Sequence, residues 1–305
     1  MSNDYDPSTA AKRAVIKNAE HGLSRHRQPE LARLKVTSVL TEKAHTSALT
    51  QYAHWLLLHR DGKRLKHSTS ADASCFLTHR SKTCRQTTLD LGRQAINMHL
   101  HPNEPLDYVG SEVRTEEKDR AYTEKEIVLL VKAANPDLAL SITLAAIAGL
   151  RSMELITLCP STSQAASSRE WHPSRFEGRE EYLPFVVHGK GGLVREVRIP
   201  APLSIELGRR KRPAPLRVSH RGAHLRSHCT LISGHAFSLQ FGRLSKTILG
   251  FSHGCHGLRH SFAQRRRIEL MCCGHSHNDA VLILSQELGH FSVANTWAYL
   301  RDERG

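Results

Sequence analysis

Apolar residues recur at helical spacing in two stretches of the first third of the chain. The stretch TSALTQYAHWLLLHRDGKRL (46–65) places four of them near that spacing: Leu49, Tyr52, Leu56 and Leu57. The stretch TTLDLGRQAINMHL (87–100) repeats the pattern with Leu89, Ile96 and Leu100. Because residues three, four and seven apart share one face of an α-helix, both stretches predict amphipathic helices.

A polar interval separates these helices from the rest of the chain. The stretch HPNEPLDYVGSEVRTEEKDR (101–120) contains two prolines, a glycine and many charges, and it predicts a linker. Helix resumes in YTEKEIVLLVKAA, where Thr123 precedes Glu126 by three residues and predicts a capping box.

The pattern changes to strand in one part of the second half. Two β-favouring runs, YLPFVV and LVREVRI, flank HGKGG and predict a β-hairpin. The fold is therefore predicted to be mainly α with a small β-sheet or hairpin (α+β). Its predicted parts are a polar N-terminal segment (1–35), a helical domain (36–103), a linker (104–120) and a second domain (121–305).

The charge balance points to a polyanionic partner. Lys plus Arg number 43 and Asp plus Glu 29, a formal net charge of +14 spread along the chain. Nucleic acid is favoured over a membrane surface. The longest apolar stretch, LALSITLAAIAGL, is too short to span a bilayer, and the first residues lack a secretory pattern.

Cysteine and histidine usage adds two expectations. The seven cysteines are odd in number and scattered, which favours a reducing, cytoplasmic environment over a disulfide framework. The histidine-rich stretches HRGAHLRSHC and CCGHSH lack the paired spacing of a structural zinc site. No metal site is therefore predicted.

Two candidate functional residues lie at predicted turns. In AIAGLRSMEL a helix should stop near Gly149, and Ser152 can cap the next helix, with Glu154 in its first turn. Arg151 then lies at a junction held by backbone on both sides; the alternative is a surface arginine. Lys190, at the tip of the predicted hairpin, could swing onto a phosphate or a leaving oxygen, or could be an ordinary solvated loop lysine.

The stretch CHGLRHSFAQRRRIEL predicts an anion-binding helix start. His256 and Arg259 are three residues apart and project from one face. A helix N-terminus also favours anions, so an imidazole, a guanidinium and free N–H groups converge on one negative group. The alternative is an ordinary basic amphipathic helix.

Tyr299 lies in LGHFSVANTWAYL, nine residues after His290. A narrow apolar stripe on the predicted short helix is formed by Val293, Trp297 and Leu300. At about 100° per residue Tyr299 lies off that stripe. The pattern favours a tyrosine facing a cleft over one that only fills the core.

These stretches together supply a set of side chains suited to one reaction: Arg151, Lys190, His256, Arg259, His290 and Tyr299. Two guanidiniums can clamp the nonbridging oxygens of a phosphodiester. A tyrosine hydroxyl can be the nucleophile, but with a pKa of about 10 it needs a proton acceptor and cationic neighbours. A lysine or histidine can protonate the leaving oxygen. The set predicts phosphoryl transfer through a covalent phosphotyrosine.

The four motifs resemble those of the tyrosine recombinases, or phage integrase family. AGLRSMEL is similar to the first-arginine motif, HGKGG to the hairpin lysine and HGLRH to the His-x-x-Arg-His box. LGHFSVANTWAY resembles Leu-Gly-His followed by the nucleophilic tyrosine. The resemblance covers about 121–305, and 36–103 is similar only in a general way to the family's helical core-binding domain. It implies a two-domain DNA clamp of core-binding and catalytic domains.

The resemblance implies a role for each residue. Tyr299 would attack the scissile phosphate to form a 3′-phosphotyrosyl linkage, and Lys190 would protonate the departing 5′ oxygen. Four further residues would act around them: Arg151 and Arg259 on the developing charge, His256 in proton transfer at the tyrosine, and His290 in hydrogen bonding to the transition state. Glu154 would hold the first-arginine site. The 5′-hydroxyl of a partner strand would then attack the phosphotyrosine, so no cofactor is implied.

The implied partners follow from this reaction. They are a specific double-stranded DNA site, further copies of the chain in a homotetramer on two sites, and accessory proteins; no membrane is implied. The expected location is the cytoplasm, at the nucleoid of a bacterium or with a phage or plasmid. Candidate DNA contacts come from two basic clusters: Lys63, Arg64, Lys66, Arg80, Lys82 and Arg85.

Three departures from the family pattern and three alternatives accompany this prediction. Six residues follow Tyr299, fewer than in the C-terminal docking segment of many members. The stretch 159–178 is longer than the usual link and is interpreted as a lid, a partner surface or a tolerated loop. About 35 residues precede the helical domain, which are too few for the arm-binding domain of some phage integrases. The alternatives are a type IB topoisomerase-like enzyme that nicks and reseals, a non-catalytic DNA-binding relative, and a generic RNA-binding protein.

Overall fold

The protein is described here by a computed structural model covering residues 5–23, 28–114, 119–220 and 223–300, except the side chains of Lys190 and Ala223. The chain divides into two compact units, Met1–Glu116 and Glu117–Gly305. Residues 115–118 of the predicted linker lie outside the described ranges. In the described ranges, no helix has the length and apolar character needed to cross a bilayer.

The first unit is helical. Its helices are α1 (Pro7–Ile16), α2 (Pro29–Leu34), α3 (Val39–His59), α4 (Ser70–Ser81) and α5 (Gln86–His99). The predicted apolar face of α3 is buried, with Leu49, Tyr52 and Leu56 fully inaccessible to solvent. Helix α1 was not predicted, and its Ala11 and Val15 pack into the same core. Its buried face is made mostly of small residues, which give a weak signal in a polar segment.

In its described residues, the second unit combines helices with two antiparallel sheets. Its elements in chain order are α6 (Glu124–Ala133), α7 (Pro136–Ala148), α8 (Glu154–Thr157), β1 (Cys159–Pro160), β2 (Leu183–His188), β3 (Val194–Ile199), α9 (Ala201–Arg209), β4 (Lys211–His220), β5 (Ala223–Cys229), α10 (Gly234–Leu249), α11 (His256–Cys272), α12 (His277–Glu287) and α13 (Val293–Trp297). One sheet has the order β1-β2-β3, and the other pairs β4 with β5. The predicted mainly α fold with a small sheet is confirmed.

Local signals position several of these elements. The capping box at α6 is present, since the Thr123 hydroxyl accepts from the Glu126 N–H and the Glu126 carboxylate from the Thr123 N–H. The predicted hairpin is β2–β3, with Leu183 opposite Ile199 and His188 opposite Val194. The ribbon β4–β5 was not predicted, because two prolines and many polar residues weaken a strand pattern.

Candidate active site

The buried carboxylate of Glu154 lies at the centre of the site. Helix α7 ends as predicted at Gly149, whose φ of 60° and ψ of 38° are left-handed. The Arg151 backbone N–H donates to Glu154 Oε2 at 2.9 Å, and Arg151 Nη1 donates to Oε1 at 2.7 Å. The prediction that Ser152 caps the next helix is wrong. The N-cap of α8 is Met153, without a side-chain hydrogen bond.

A second arginine that the sequence analysis missed binds the same carboxylate. Arg195 on β3 is 1% exposed, and its Nη2 donates to Glu154 Oε2 at 2.7 Å. Its Nη1 donates to the Glu287 carbonyl at 2.6 Å. The available signal was the strand period, because Arg195 shares a face with the buried Val197 and Ile199. An arginine on the apolar face of a strand requires a buried anion.

Arg259 reaches the cluster from α11 and is fully buried. Its Nη1 donates to the Gly149 carbonyl and lies 3.4 Å from Glu154 Oε2. Its Nη2 donates to the Leu288 carbonyl at 2.5 Å and to His290 Nε2 at 3.3 Å. Among the described residues, its Nε–H has no hydrogen-bond partner. Four of five guanidinium donors therefore hold the side chain in place, and the fifth is buried out of contact with solvent.

The cluster carries excess positive charge. Burial opposes ionisation of Glu154, but the guanidiniums of Arg195, Arg259 and Arg151 outweigh it and hold the carboxyl pKa far below its usual 4.5. Burial lowers the pKa of Arg259 to about 9, against the raising effect of Glu154, which leaves the side chain positive at neutral pH. Three guanidiniums and one carboxylate give a net charge of +2, which favours binding of an anion.

The hydroxyl of Tyr299 lies against an imidazole. Tyr299 Oη is 3.0 Å from Nε2 of His256, the first residue of α11. Burial lowers the pKa of His256 to about 4, and the charges of Arg259 and Arg151 act in the same direction. The imidazole is therefore neutral at neutral pH, and Nε2 can accept the tyrosine proton.

Tyr299 lies just beyond a helix, so the prediction that a short helix carries it is wrong. Helix α13 ends at Trp297, and the Tyr299 N–H donates to the Thr296 carbonyl at 2.9 Å in a tight turn. Tyr299 is 8% exposed and belongs to a small apolar cluster with Leu300. The ring is packed against protein while its hydroxyl reaches the site, so the two interpretations weighed for this tyrosine both apply.

His290 is held in one tautomer by its neighbours. Burial, together with nearby guanidiniums, lowers its pKa to about 3, so the ring is neutral. Arginine only donates, so Nε2 accepts from Arg259 and Nδ1 carries the proton. Nδ1 then donates to the hydroxyl of Thr296 at 3.1 Å, and this hydroxyl donates to the Ser292 carbonyl at 3.3 Å. Thr296, fully buried, was not predicted from the sequence.

The structure therefore brings together five of the six predicted catalytic residues, along with Glu154. The backbone of Lys190 opens the turn Lys190–Gly192 between β2 and β3, as predicted. Its side chain lies outside the described part of the structure.

The long stretch 159–178 packs against the segment 286–291. The contacts between them include three strong ones. The rings of Trp171 and Phe291 lie 4.8 Å apart between centres. The His172 N–H donates to the Gln286 side chain at 2.5 Å, and the Phe176 N–H donates to the Glu287 carboxylate at 2.9 Å. The segment 286–291 contains Leu288, whose carbonyl binds Arg259, and His290. The stretch thus supports the backbone that holds both side chains.

The candidate DNA contacts lie in the first unit and fall into two groups. Three are exposed: Lys66, Lys82 and Arg85. Three have partners within the protein: Lys63 with Asp72 at 2.8 Å, Arg80 with Gln51 at 2.8 Å, and Arg64 over the Tyr5 ring at 5.5 Å. The exposed group is the more available to a ligand.

Comparison with known proteins identifies the family. A family model described as Integrase matches residues 110–265, just over half of the chain. The chain belongs to this tyrosine recombinase/integrase family, as its motifs predicted. The matched segment contains Arg151, Lys190 and Arg259 and ends before Tyr299, so the assignment of the tyrosine rests on geometry. A search of curated proteins gives no match.

The chain is also similar in fold to solved recombinases. The XerH site-specific recombinase bound to a palindromic difH substrate, in a post-cleavage complex, has 14% identity and a TM-score of 0.56, with 98% of this chain and 94% of that chain covered. A lambda integrase dimer bound to a COC′ core site has 16% identity and a TM-score of 0.51, with 100% of this chain and 83% of that chain covered. A lambda integrase tetramer bound to a Holliday junction has 15% identity and a TM-score of 0.51, with 97% of this chain and 82% of that chain covered.

Proposed function

We propose that this chain is a site-specific DNA recombinase that cuts and rejoins strands through a covalent 3′-phosphotyrosyl intermediate. The observation that carries this proposal is the 3.0 Å contact between Tyr299 Oη and His256 Nε2, beside the buried guanidinium of Arg259. A tyrosine hydroxyl needs a nearby base and positive surroundings to become a nucleophile at neutral pH. Both lie within one site.

The first step is attack on a scissile phosphate. Tyr299 Oη forms a bond to phosphorus while its proton passes to the neutral imidazole of His256. The bond from phosphorus to the 5′ oxygen breaks, and Lys190 is the proposed donor of a proton to that oxygen. The products are a 3′-phosphotyrosyl linkage and a free 5′-hydroxyl.

The transition state gains negative charge on its nonbridging oxygens, and the arginines stabilise it. Arg151, with 23% of its side chain exposed, can turn its remaining donors toward a phosphate. Arg259, fully buried beside the ring of Tyr299, contributes its positive charge. Because these groups are already held by Glu154 and backbone carbonyls, little reorganisation is needed when charge develops.

His290 is proposed to hold neighbouring groups in place. Its two ring nitrogens are engaged by Arg259 and Thr296, and this supports a role in holding the second arginine and the turn before Tyr299. This differs from direct hydrogen bonding to the phosphate, the role that the family resemblance implied.

The second step reverses the first on a different strand. The 5′-hydroxyl of a partner strand attacks the phosphotyrosine, Tyr299 leaves as the phenol, and the phosphodiester is restored. One phosphoester bond replaces another at each step, so no nucleotide cofactor supplies energy. Exchange between two sites is proposed to require a homotetramer on double-stranded DNA, with accessory proteins as further partners.

The first unit is proposed as the core-binding domain and the second as the catalytic domain. The exposed Lys66, Lys82 and Arg85 are the candidate phosphate contacts of the first unit. The proposed location is the cytoplasm, at the nucleoid, where the DNA substrate lies.

Covalent trapping tests the proposed function. The purified chain is mixed with a library of nicked DNA made from the sequence around its gene, and adducts are separated on a denaturing gel. Wild type and Tyr108→Phe, which alters an exposed tyrosine, should form an adduct, and Tyr299→Phe should bind DNA but form none. An adduct formed by Tyr299→Phe would refute the assignment of the nucleophile.

A strand-exchange step separates recombination from nicking and resealing. The trapped complex is given a labelled partner strand that ends in a 5′-hydroxyl. A recombinase joins the labelled strand, whereas a type IB topoisomerase-like enzyme restores only its own strand. A chain that binds the trapped sequence without any adduct would be a non-catalytic DNA-binding relative.

A further inference from the structure

The ribbon β4–β5 is strongly basic and takes no part in the site described above. No Asp or Glu occurs in the sequence between Glu206 and Glu269. Within this interval the ribbon (211–229) contains five Lys or Arg residues. An extended basic surface of this kind favours a polyanionic partner.

The register of the ribbon gives it two unlike faces. Val218 lies opposite Leu225, and both are partly buried on the same face as Ser227, which is 5% exposed. On the other face Arg217 lies directly opposite Arg226, and both are exposed. Side chains alternate between the two faces of a strand, so the two guanidiniums project together away from the protein.

This pairing is unfavourable in the free protein. Like charges directly opposite one another destabilise an antiparallel pair, because their Cβ atoms are only about 5 Å apart. Within the described ranges, neither Arg217 nor Arg226 forms a salt bridge with a carboxylate. A bound anion would relieve the repulsion, and two adjacent guanidiniums match the oxygens of phosphates.

The end of β4 at His220 adjoins the candidate active site. Gly234, at the start of α10, donates its N–H to the Ser152 carbonyl at 2.8 Å, next to Arg151. A Cβ at Gly234 would lie 3.1 Å from Nδ1 of His220 and 3.2 Å from Ile156. His220 ends β4, so the strand that carries Arg217 runs out from the site.

We propose that the Arg217–Arg226 pair binds the phosphate backbone of duplex DNA beside the phosphate that Tyr299 attacks. This inference rests on the proposed function for the identity of the anion, and it adds a contact surface on the second unit. The contact is to phosphates and not to base edges, so it fixes the position of the DNA without reading its sequence. Counterion release then makes the contribution of the pair depend strongly on salt concentration.

Salt-dependent DNA binding tests the pair. The probe is a fluorescent DNA duplex of mixed sequence, which is titrated with full-length protein over a range of salt concentrations. Every protein in this titration also carries Tyr299→Phe, so that the DNA is not cleaved. Arg217→Gln and Arg226→Gln should each lower the slope of log affinity against log salt by about 1, and the double variant by about 2. Arg217→Lys and Arg226→Lys should preserve the slope. Arg209→Gln, which removes an exposed arginine already paired with Glu206, is the matched control.

Thermal unfolding of the free protein gives an independent readout. Removing the cross-strand repulsion should raise the Tm of the double glutamine variant by about one to three degrees. The inference is overturned if the double variant keeps the wild-type slope, or if Arg209→Gln lowers the slope equally. A fall of several degrees in Tm would also overturn it, because the arginines would then stabilise the ribbon itself.

The inference and the proposed function can fail separately. A Tyr299-dependent adduct combined with an unchanged slope in the double variant would leave the recombinase proposal intact and remove the role of the pair. The opposite result is a lower slope of log affinity against log salt in the double variant, together with no adduct from the protein that retains Tyr299. This result would support the DNA contact and refute strand cleavage.

Discussion

The carboxylate of Glu154 and the guanidinium of Arg195 form a buried ion pair at 2.7 Å, although 41 residues separate them in sequence. The pair joins α8 to β3. Arg151, in the junction before α8, and Arg259, on α11, bind the same carboxylate, so a single acidic side chain organises three cations. This arrangement sets both the stability and the charge of the site.

Glu154→Gln should destabilise the second unit markedly. The substitution removes the charge that compensates three guanidiniums, and removing one partner of a buried ion pair costs about 3–5 kcal/mol. Urea unfolding followed by circular dichroism measures the free energy of unfolding. Glu170→Gln, at an exposed position, is the control and should change it little. Equal stability of the two variants would contradict the central role of Glu154.

Stability should fall on acidification below about pH 6.5. Burial holds the pKa of His256 and of His99 near 4 and that of His290 near 3, whereas in the unfolded chain each titrates near 6.5. Below 6.5 the unfolded state binds more protons than the folded state, so each pH step downward favours unfolding until the folded-state pKa is reached.

Unfolding by urea at pH 8, 6.5 and 5 checks this dependence. His290→Gln should reduce the loss of stability between pH 6.5 and 5, because one buried titrating group is gone. His79→Gln, at an exposed position, should leave the pH dependence as in wild type. A stability that rises between pH 6.5 and 5 would contradict the prediction.

His256→Ala should slow strand cleavage and change its pH dependence. Loss of a general base costs about 10²- to 10⁴-fold in rate. The residual rate should increase with pH, because hydroxide must then remove the tyrosine proton. Adduct formation measured from pH 6 to 9.5 tests both effects, with the exposed His235→Ala as control. A wild-type rate in His256→Ala would exclude this imidazole as the base.

Trp171→Ala should impair cleavage more than DNA binding. Trp171 packs on Phe291, next to His290, and its loss frees the segment that holds Arg259 through the Leu288 carbonyl. A small displacement of catalytic groups costs about ten- to a hundredfold in rate. Trp171→Phe should restore most of the rate, and Pro173→Ala in the same stretch should have little effect. An equal loss of DNA binding would indicate a direct DNA contact by the stretch instead.

Local signals explain which elements the sequence predicted correctly. The glycine that ends α7, the capping box of α6, the hairpin β2–β3 and the start of α11 at His256 each depend on residues close together in the chain. Such features are decided by backbone preference and local hydrogen bonds, so they can be read without knowledge of the fold. The order and spacing of the motifs indicated the family in the same way.

Three details of the second unit differ from the predictions. Ser152 does not cap α8, whose N-cap is Met153, and the Glu154 carboxylate binds the backbone N–H of Arg151. The helix before Tyr299 ends early, at Trp297. The ribbon β4–β5 was not predicted, because its strands have only one partly apolar face and β4 contains two prolines.

Short-range patterns and motif order are enough to indicate the family, the helical character and the residue types available for phosphoryl transfer. Three relationships depend on how the chain packs: Arg195 shares the Glu154 carboxylate, Thr296 orients His290, and His256 lies within hydrogen-bond distance of Tyr299. Their charges and protonation states depend on burial and on partners more than thirty residues away, except for the local Thr296 contact. Those quantities exist only once the chain has packed.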